Sequence, residues 1–156
     1  MNNGFYYETK IGKIGIVENG KAITHISFGK INFQDVYENE TSLLKEAGNQ
    51  LQEYLEGKRK KFDLPLEPQG TEFQQKVWNV LQEIPYGETL SYKDVAKNIG
   101  NIKACRAVGM ANNKNPIPIC IPCHRVIGSN GKLVGYAGGL DIKEKLLEIE
   151  RQNADG

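Results

Sequence analysis

Cys123 and His124 are adjacent, with Pro122 before them and Arg125 after them. Such a cluster can do nucleophilic chemistry. A thiol becomes a good nucleophile only as its thiolate, and an imidazole and a guanidinium beside it on a proline-stiffened loop are placed to lower its pKa. Neighbouring residues of an extended segment point to opposite sides, so His124 is expected to act on Cys123 through a water or a local bend. An imidazole that acts as a base needs a group to orient it, and Glu150 is one candidate.

Other readings of the same residues stay open at this point. Cys120 to His124 spells C-x-x-C-H, the haem-attachment pattern, which belongs to exported proteins. Cys120 and Cys123 also form a C-x-x-C pair, here in a proline-rich context and not where a strand runs into a helix. Cys105, Cys120, Cys123 and His124 have the ligand count for zinc but lack a second spaced pair. A buried, inert cysteine is the plainest alternative.

The elements that must position this cluster can be read from periodicity. Ile14 to Val17 and Ala22 to Phe28 are short β-branched runs with the hairpin signal Asn19-Gly20 between them, and a third strand is expected at Phe5 to Thr9. From Ser42 the spacing Leu44, Ala47, Leu51, Tyr54, Leu55 follows the helical period, and Gly57 sits where that helix would stop. Residues 58–61 are basic, and 62–70 read as an exit and linker. Thr71 and Gln74 form a capping box for an amphipathic helix whose stripe is Phe73, Val77, Val80, Leu81 and Ile84, ended by Pro85.

Ser91 then caps a short helix carrying Val95, Ala96 and Ile99, which Gly100 terminates. Asn101 caps another with Ala104, Ala107, Val108 and Ala111 at one-face spacing, so the pair makes a helix-turn-helix. The second helix is smooth, with Lys103 and Arg106 projecting. That suits close approach to nucleic acid; tight packing against another helix is the alternative. Residues 115–127 are expected to be extended, because Pro116, Pro118 and Pro122 forbid helix. A turn at 128–131, a short strand at 132–134 and a glycine-rich loop at 135–139 follow. Asp141 is expected to cap a last amphipathic helix through Ile142, Leu146, Leu147 and Ile149.

With 156 residues, 39% hydrophobic and 25% charged, the chain has the composition of a soluble globular protein of one or two domains. Roughly two-thirds of its unfolded surface can be buried at this length, so neither disulfides nor metal are needed to hold it together. Three cysteines within 105–123 do not suit a secreted disulfide framework and fit a reducing compartment. No apolar run approaches the ~20 residues of a membrane helix, and the first residues contain no apolar signal core, which points to the cytoplasm and to no membrane partner. The net charge of +1 hides an uneven distribution, since Ser91 to Lys132 holds seven basic residues and one acid. A local basic field of this kind fits a phosphate backbone, with a solvated lysine face as the alternative.

The run from Asn115 through Pro-Cys-His-Arg-Val at 122–126, followed by Gly-Tyr-Ala-Gly-Gly-Leu at 135–140, closely resembles the signature of the O6-alkylguanine-DNA alkyltransferases, the methylated-DNA–protein-cysteine methyltransferases. The resemblance is strong from Thr71 to Arg151 and includes residues 91–96 and 103–109. The N-terminal half matches in length and in Lys-Phe-Asp-Leu-Pro-Leu at 61–66. Relatives that bind alkylated DNA without repairing it carry Trp at the cysteine position, where this chain has Cys123. The resemblance implies an α+β fold: a small strand-plus-helix scaffold domain over 1–68, then a mostly helical, winged-helix-like domain over 69–156 that binds DNA and accepts the alkyl group.

It also implies roles. Cys123 is similar to the alkyl acceptor, His124 to the water-linked base and Glu150 to the carboxylate that orients it. Asn115 matches the asparagine that holds the active-site turn. Tyr92 matches the tyrosine that helps rotate the nucleotide, contacts guanine N3 and donates a proton as guanine leaves. Lys143 matches a lysine near that tyrosine, and Arg106 the finger that fills the hole left in the base stack. Ala107, Gly109 and Arg125 join the DNA-contact set. The carbonyls of Cys123 and Val126 are expected to accept from the guanine 2-amino group, with Tyr136 and Ala137 beside the base. The family often has Ser where this chain has Ala137, so a hydroxyl near guanine O6 is missing while the backbone N–H remains.

The implied partner is double-stranded DNA containing alkylated guanine, bound by a monomer through the minor groove with the target base flipped out. O4-alkylthymine is a second candidate substrate. The thioether product has no hydrolysable bond, so each molecule should act once and without a cofactor. Zinc-bearing members use N-terminal Cys and His ligands; that half here has no Cys and only His25, so no metal is expected. The alternative from another class is a lesion-binding module that recruits other factors and leaves the alkyl group on the DNA.

Overall fold

Ile14, Ile16 and Val17 are buried β-branched residues on the second strand of a four-stranded sheet, in a computed structural model that describes residues 2–31 and 35–154. The chain divides into two compact units, Met1–Gln69 and Gly70–Gly156. In the first, strands β1 (Asn2–Thr9), β2 (Gly12–Glu18), β3 (Ile23–Phe28) and β4 (Val36–Glu38) lie in the order β3-β2-β1-β4. β2 pairs antiparallel with β1 and β3, and β4 runs parallel to β1. Helix α1 (Ser42–Leu55) begins at Thr41, whose hydroxyl accepts from the Leu44 N–H, and buries Leu44, Ala47, Leu51, Tyr54 and Leu55. Each of the three leucines contributes about 1.5–3 kcal/mol by leaving water.

Three details of this unit differ from the expectation. The β2–β3 connection is Asn19 to Ala22, four residues long, because Asn19 Oδ1 accepts from both the Lys21 and Ala22 N–H groups and delays the strand. β4 is too short to carry a periodic signal. The supposed linker adds to the sheet: Leu66 bridges Ile23, with the Ile23 N–H donating to Pro65 O and the Glu67 N–H to Ile23 O.

In the second unit, α2 (Glu72–Gln82) starts with both halves of the Thr71–Gln74 capping box in place and buries Val77, Trp78 and Leu81. Trp78 anchors the neighbouring helix as well, its Nε1–H donating to Ala111 O at 2.9 Å. A two-residue strand β5 (Leu90–Ser91) leads into α3 (Tyr92–Asn98), where Ser91 and Asp94 form a second capping box. Gly100 turns the chain with φ +83°, a backbone conformation that a side chain would strain. Asn101 then caps a 3-10 turn at Ile102–Ala104, which continues as α4 (Cys105–Asn113). These elements form the helix-turn-helix. Only Val108 and Ala111 of the expected small-residue face are buried, and Ala107 is exposed.

The proline-rich segment is not extended throughout, for Cys123–Arg125 closes into one 3-10 turn before strand β6 (Val126–Ile127) pairs parallel with β5. Residues 132–134 form no strand, so among the described residues of this unit β5 and β6 are the only sheet. The last helix, α5 (Leu140–Asn153), is capped by Gly139 at φ +97° with Asp141 inside its first turn. Its buried face carries Lys143, Leu146 and Glu150, two charged side chains where the sequence promised an apolar stripe.

Candidate active site

The segment that carries Cys123 is tied down by a single asparagine. Asn115 Nδ2 donates to Ile121 O at 2.8 Å and its Oδ1 accepts from the Ile117 N–H at 2.9 Å, so one side chain spans both ends of a tight loop. Ile119, within that loop, has φ +76°. A buried β-branched residue in the left-handed region stores strain of about 1–3 kcal/mol and persists only where its surroundings over-determine it. With three prolines in the segment, the loop closes its own backbone: the Ile121 N–H donates to Ile117 O and the Cys123 N–H to Ile121 O. The following 3-10 turn buries Cys123, His124 and Arg125 together.

Helix α5 brings Glu150 to that turn. His124 Nε2 lies 2.6 Å from Glu150 Oε2. Arg125 grips the same carboxylate, Nε to Oε1 at 2.8 Å and Nη2 to Oε2 at 2.9 Å, and its Nη1 donates to Ile84 O at 2.6 Å. The Gly87 N–H adds a bond to Oε1 at 3.1 Å. Gly87 has φ +83°, and a Cβ there would stand 2.7 Å from the Ala154 Cβ, so the turn that supplies this donor requires glycine. Burial pushes the Glu150 carboxyl up, but the hydrogen bonds and charges of His124 and Arg125 outweigh it and hold it at about 2. Burial in turn lowers His124, against the opposing pull of Glu150. With its Nε2–H given to the carboxylate, the neutral form of the ring presents Nδ1 as its acceptor nitrogen. Arg125, expected on the DNA face, is instead buried in this network.

Cys123 is 4% exposed. Burial pushes its thiol up to about 11, while a hydrogen bond with Asn115 and the charge of Lys143 pull it down. The lowered thiol pKa expected from the flanking His124 and Arg125 is thus not the resting state, because desolvation outweighs the cation and Arg125 spends its charge on Glu150. The thiol stays protonated until a base takes its proton. Lys143, buried on α5, donates from Nζ to Val126 O at 2.7 Å, Val134 O at 2.8 Å and Gly135 O at 3.3 Å. Burial lowers its ammonium to about 8, and Cys123 opposes that shift. Tyr92 Oη donates to the same Val134 carbonyl at 3.1 Å. Burial raises the Tyr92 phenol, a thiolate at Cys123 raises it further, and a hydrogen bond from Asn112 lowers it.

On α4, Arg106 is exposed, and Ile102 and Met110 on the same four-residue spacing are exposed too, Met110 at 63%. Ala107 is open to solvent, and a Cβ on Gly109 would lie 3.9 Å from the Tyr92 ring, in ordinary contact. Tyr136 is half-buried and Ala137 exposed in the turn that the Gly139 N–H closes onto Tyr136 O. All three cysteines are free thiols; Cys105 Sγ donates to Ile102 O, and burial pushes Cys120 up to about 12. Among the described residues no group of three or more His, Cys, Asp or Glu side chains converges to hold a metal ion.

Residues 72–152 match the family model described as 6-O-methylguanine DNA methyltransferase, DNA binding domain, and residues 5–68 match its ribonuclease-like domain. The chain belongs to the 6-O-methylguanine DNA methyltransferase family. A member from Methanosarcina acetivorans, a methylated-DNA–protein-cysteine methyltransferase, is 53% identical over 92% of this chain and 95% of its own. The constitutive Bacillus subtilis methyltransferase is 49% identical over 97% and 96%. The crystal structure of Mycobacterium tuberculosis OGT in complex with DNA superposes with a TM-score of 0.92 at 40% identity, covering 97% of this chain and 94% of that one.

Within this methyltransferase, four contributors to the site had no sequence signal strong enough to single them out. Gly87 follows the helix-ending Pro85 with no pattern around it, and Ile84 counts among the stripe residues. Trp78 lay outside the counted stripe. Asn112, next to the last counted small residue Ala111, is 3% exposed and donates from Nδ2 to the Cys123 carbonyl at 3.3 Å.

Proposed function

We propose that this chain repairs double-stranded DNA by moving the alkyl group of O6-alkylguanine onto Cys123 Sγ, once per molecule. The observation that carries this reading is a buried free thiol in the same helical turn as an imidazole hydrogen-bonded to Glu150. A thiol near 11 is a poor nucleophile at rest and needs a base at the moment of reaction. His124 Nδ1 fills that role through a water, and Glu150 stabilises the imidazolium that forms.

The steps balance without a cofactor. The thiol proton passes to His124, the sulfur attacks the alkyl carbon in line, and the bond from that carbon to O6 breaks. The guanine leaves with the electron pair and takes a proton at N3 from Tyr92. Lys143 keeps a cation beside the developing thiolate and fixes the Val134 carbonyl that Tyr92 also uses. The thioether cannot be hydrolysed, so the protein is consumed.

A lesion inside a duplex must be rotated out of the stack, at a few kcal/mol. Exposed α4 supports a minor-groove approach, with Arg106 replacing the missing stacking partner and Ala107 and Gly109 leaving room for the backbone. Asn115 holds the Cys123 loop, and Tyr136 and Ala137 flank the base. Residues 69–156 bind DNA and accept the alkyl group; residues 1–68 act as a scaffold. No helix among the described residues is long and apolar enough to cross a membrane, and three free thiols fit a monomer working in the reducing cytoplasm. Stoichiometry tests the reading. Methyl groups removed from O6-methylguanine duplex should plateau at one per protein molecule; continued turnover, or no removal at all, would refute it.

A further inference from the structure

We propose that Tyr86 is a positioning residue for alkyl transfer, its aromatic face holding the Arg125 guanidinium where it orients Glu150 and, through Glu150, the imidazole of His124. The inference rests on His124 serving as the base for Cys123. Tyr86 lies in the turn between α2 and β5, which the Glu88 N–H closes by donating to Pro85 O at 3.1 Å. It is half-buried, and the Arg125 Cζ stands over its ring, 5.6 Å from the centroid.

Three of the four residues at 84–87 reach the same ion pair, each through a different group. Ile84 O accepts from Arg125 Nη1 at 2.6 Å, the Gly87 N–H donates to Glu150 Oε1 at 3.1 Å, and the Tyr86 ring faces the cation. Pro85, the fourth, fixes its own φ and stiffens the turn. The two hydrogen bonds come from the backbone, so Tyr86 supplies the one contact that depends on a side chain.

The negative face of an aromatic ring attracts a guanidinium, and does so more strongly away from water. Arg125 is 7% exposed, which places this contact toward the stronger end. Burial raises the Tyr86 phenol and the Glu150 carboxylate raises it further, against the opposing pull of Arg125, so the hydroxyl keeps its proton and the residue acts by its ring face. Alignment is what the contact contributes. A general base performs only when held within about 0.5 Å of its productive position, and the imidazole takes its tilt from the carboxylate that Arg125 grips.

The test measures single-turnover methyl transfer to Cys123, at saturating O6-methylguanine duplex, in wild type, Tyr86→Phe, Tyr86→Leu, Glu150→Gln and the double variant of the last two. Tyr86→Leu should be slower by about fivefold, the worth of one buried cation–π contact, with DNA affinity unchanged and the same slowing on free O6-methylguanine. Tyr86→Phe keeps the ring face and should stay near the wild-type rate. In the Glu150→Gln background, Tyr86→Leu should slow transfer little further, because the carboxylate through which Tyr86 acts is gone. A general structural role would slow both backgrounds alike, and that result overturns the proposal, as does a wild-type rate in Tyr86→Leu or a Tyr86→Phe protein as slow as the leucine variant. Tyr86→Met gives the same reading if the leucine variant does not fold. A Glu150→Gln protein that transfers at the wild-type rate, or a wild type that takes up no methyl, would overturn the reading on which the proposal rests, and the proposal with it.

Discussion

Arg125 holds Glu150 with two parallel bonds, Nε to Oε1 at 2.8 Å and Nη2 to Oε2 at 2.9 Å, on the carboxylate that also receives His124 Nε2 at 2.6 Å. The fork fixes the plane of the carboxylate and thereby the tilt of the imidazole. A planar guanidinium does this and an ammonium does not. Arg125 is thus a positioning residue, whose charge is spent inside the protein and not on phosphates.

Arg125→Lys should lower the melting temperature and slow transfer while leaving the salt dependence of DNA binding unchanged. Breaking a buried pair by removing one partner costs about 3–5 kcal/mol, and lysine recovers only part of it. Thermal melts together with binding at several salt concentrations check this. A shallower salt slope with an unchanged melting temperature would return Arg125 to the DNA face.

Glu150 makes the fold acid-sensitive in a defined window. Its carboxyl is held at about 2 against an ordinary 4.5, so its contribution is complete above pH 4.5 and is lost as the pH falls from 4.5 through 2. The size is on the order of 3 kcal/mol. Glu150→Gln should therefore be less stable than wild type at pH 6, with the gap narrowing steadily toward pH 3. Chemical denaturation at a series of pH values measures it. A gap that does not change with pH would contradict the ionised network.

Lys143→Met should raise the apparent pKa of Cys123 and slow transfer at neutral pH. The ammonium favours the thiolate, and removing it leaves burial to act alone. Iodoacetamide reactivity against pH reads the thiol directly. In the wild type the gain in reactivity should weaken above about pH 8, where Lys143 gives up its proton. Identical profiles for the two proteins would remove Lys143 from the activation of the thiol.

Arg106→Ala should impair repair of duplex DNA far more than reaction with free O6-alkylguanine, since only the duplex needs a substitute in its stack. If Arg106 also pairs with a phosphate, the log-log salt slope of binding should fall by about 0.9 in the variant. Equal impairment on both substrates would take Arg106 out of the flipping step.

Much of the frame was legible because it depends on local patterns. Both capping boxes, Thr71–Gln74 and Ser91–Asp94, formed as their spacing requires, and the helix-turn-helix followed from Gly100 and Asn101. The Cys123–His124–Glu150 grouping was also foreseeable, from chemistry and resemblance. Elsewhere tertiary contacts overrode local signals. A proline-rich run reads as extended, yet Asn115 bends it and Cys123–Arg125 closes into a turn. An Arg beside a reactive cysteine in a basic segment reads as a DNA contact, yet a carboxylate 25 residues away claims it. Lys143 and Glu150 look like the polar side of α5, and only the carbonyls and cations opposite them explain their burial. Nothing in the sequence marks Asn112, whose meaning comes from two neighbours distant in the chain.

Transfer of the alkyl group to Cys123 is tested most directly by mass mapping of the peptides after incubation with O6-methylguanine duplex. One methyl should appear on the peptide carrying Cys123, none on Cys105, and fragmentation should place it on Cys123 and not on Cys120. The DNA should be left with unmodified guanine. A methyl on another residue, or a protein of unchanged mass bound to DNA that keeps its methyl group, would contradict the account.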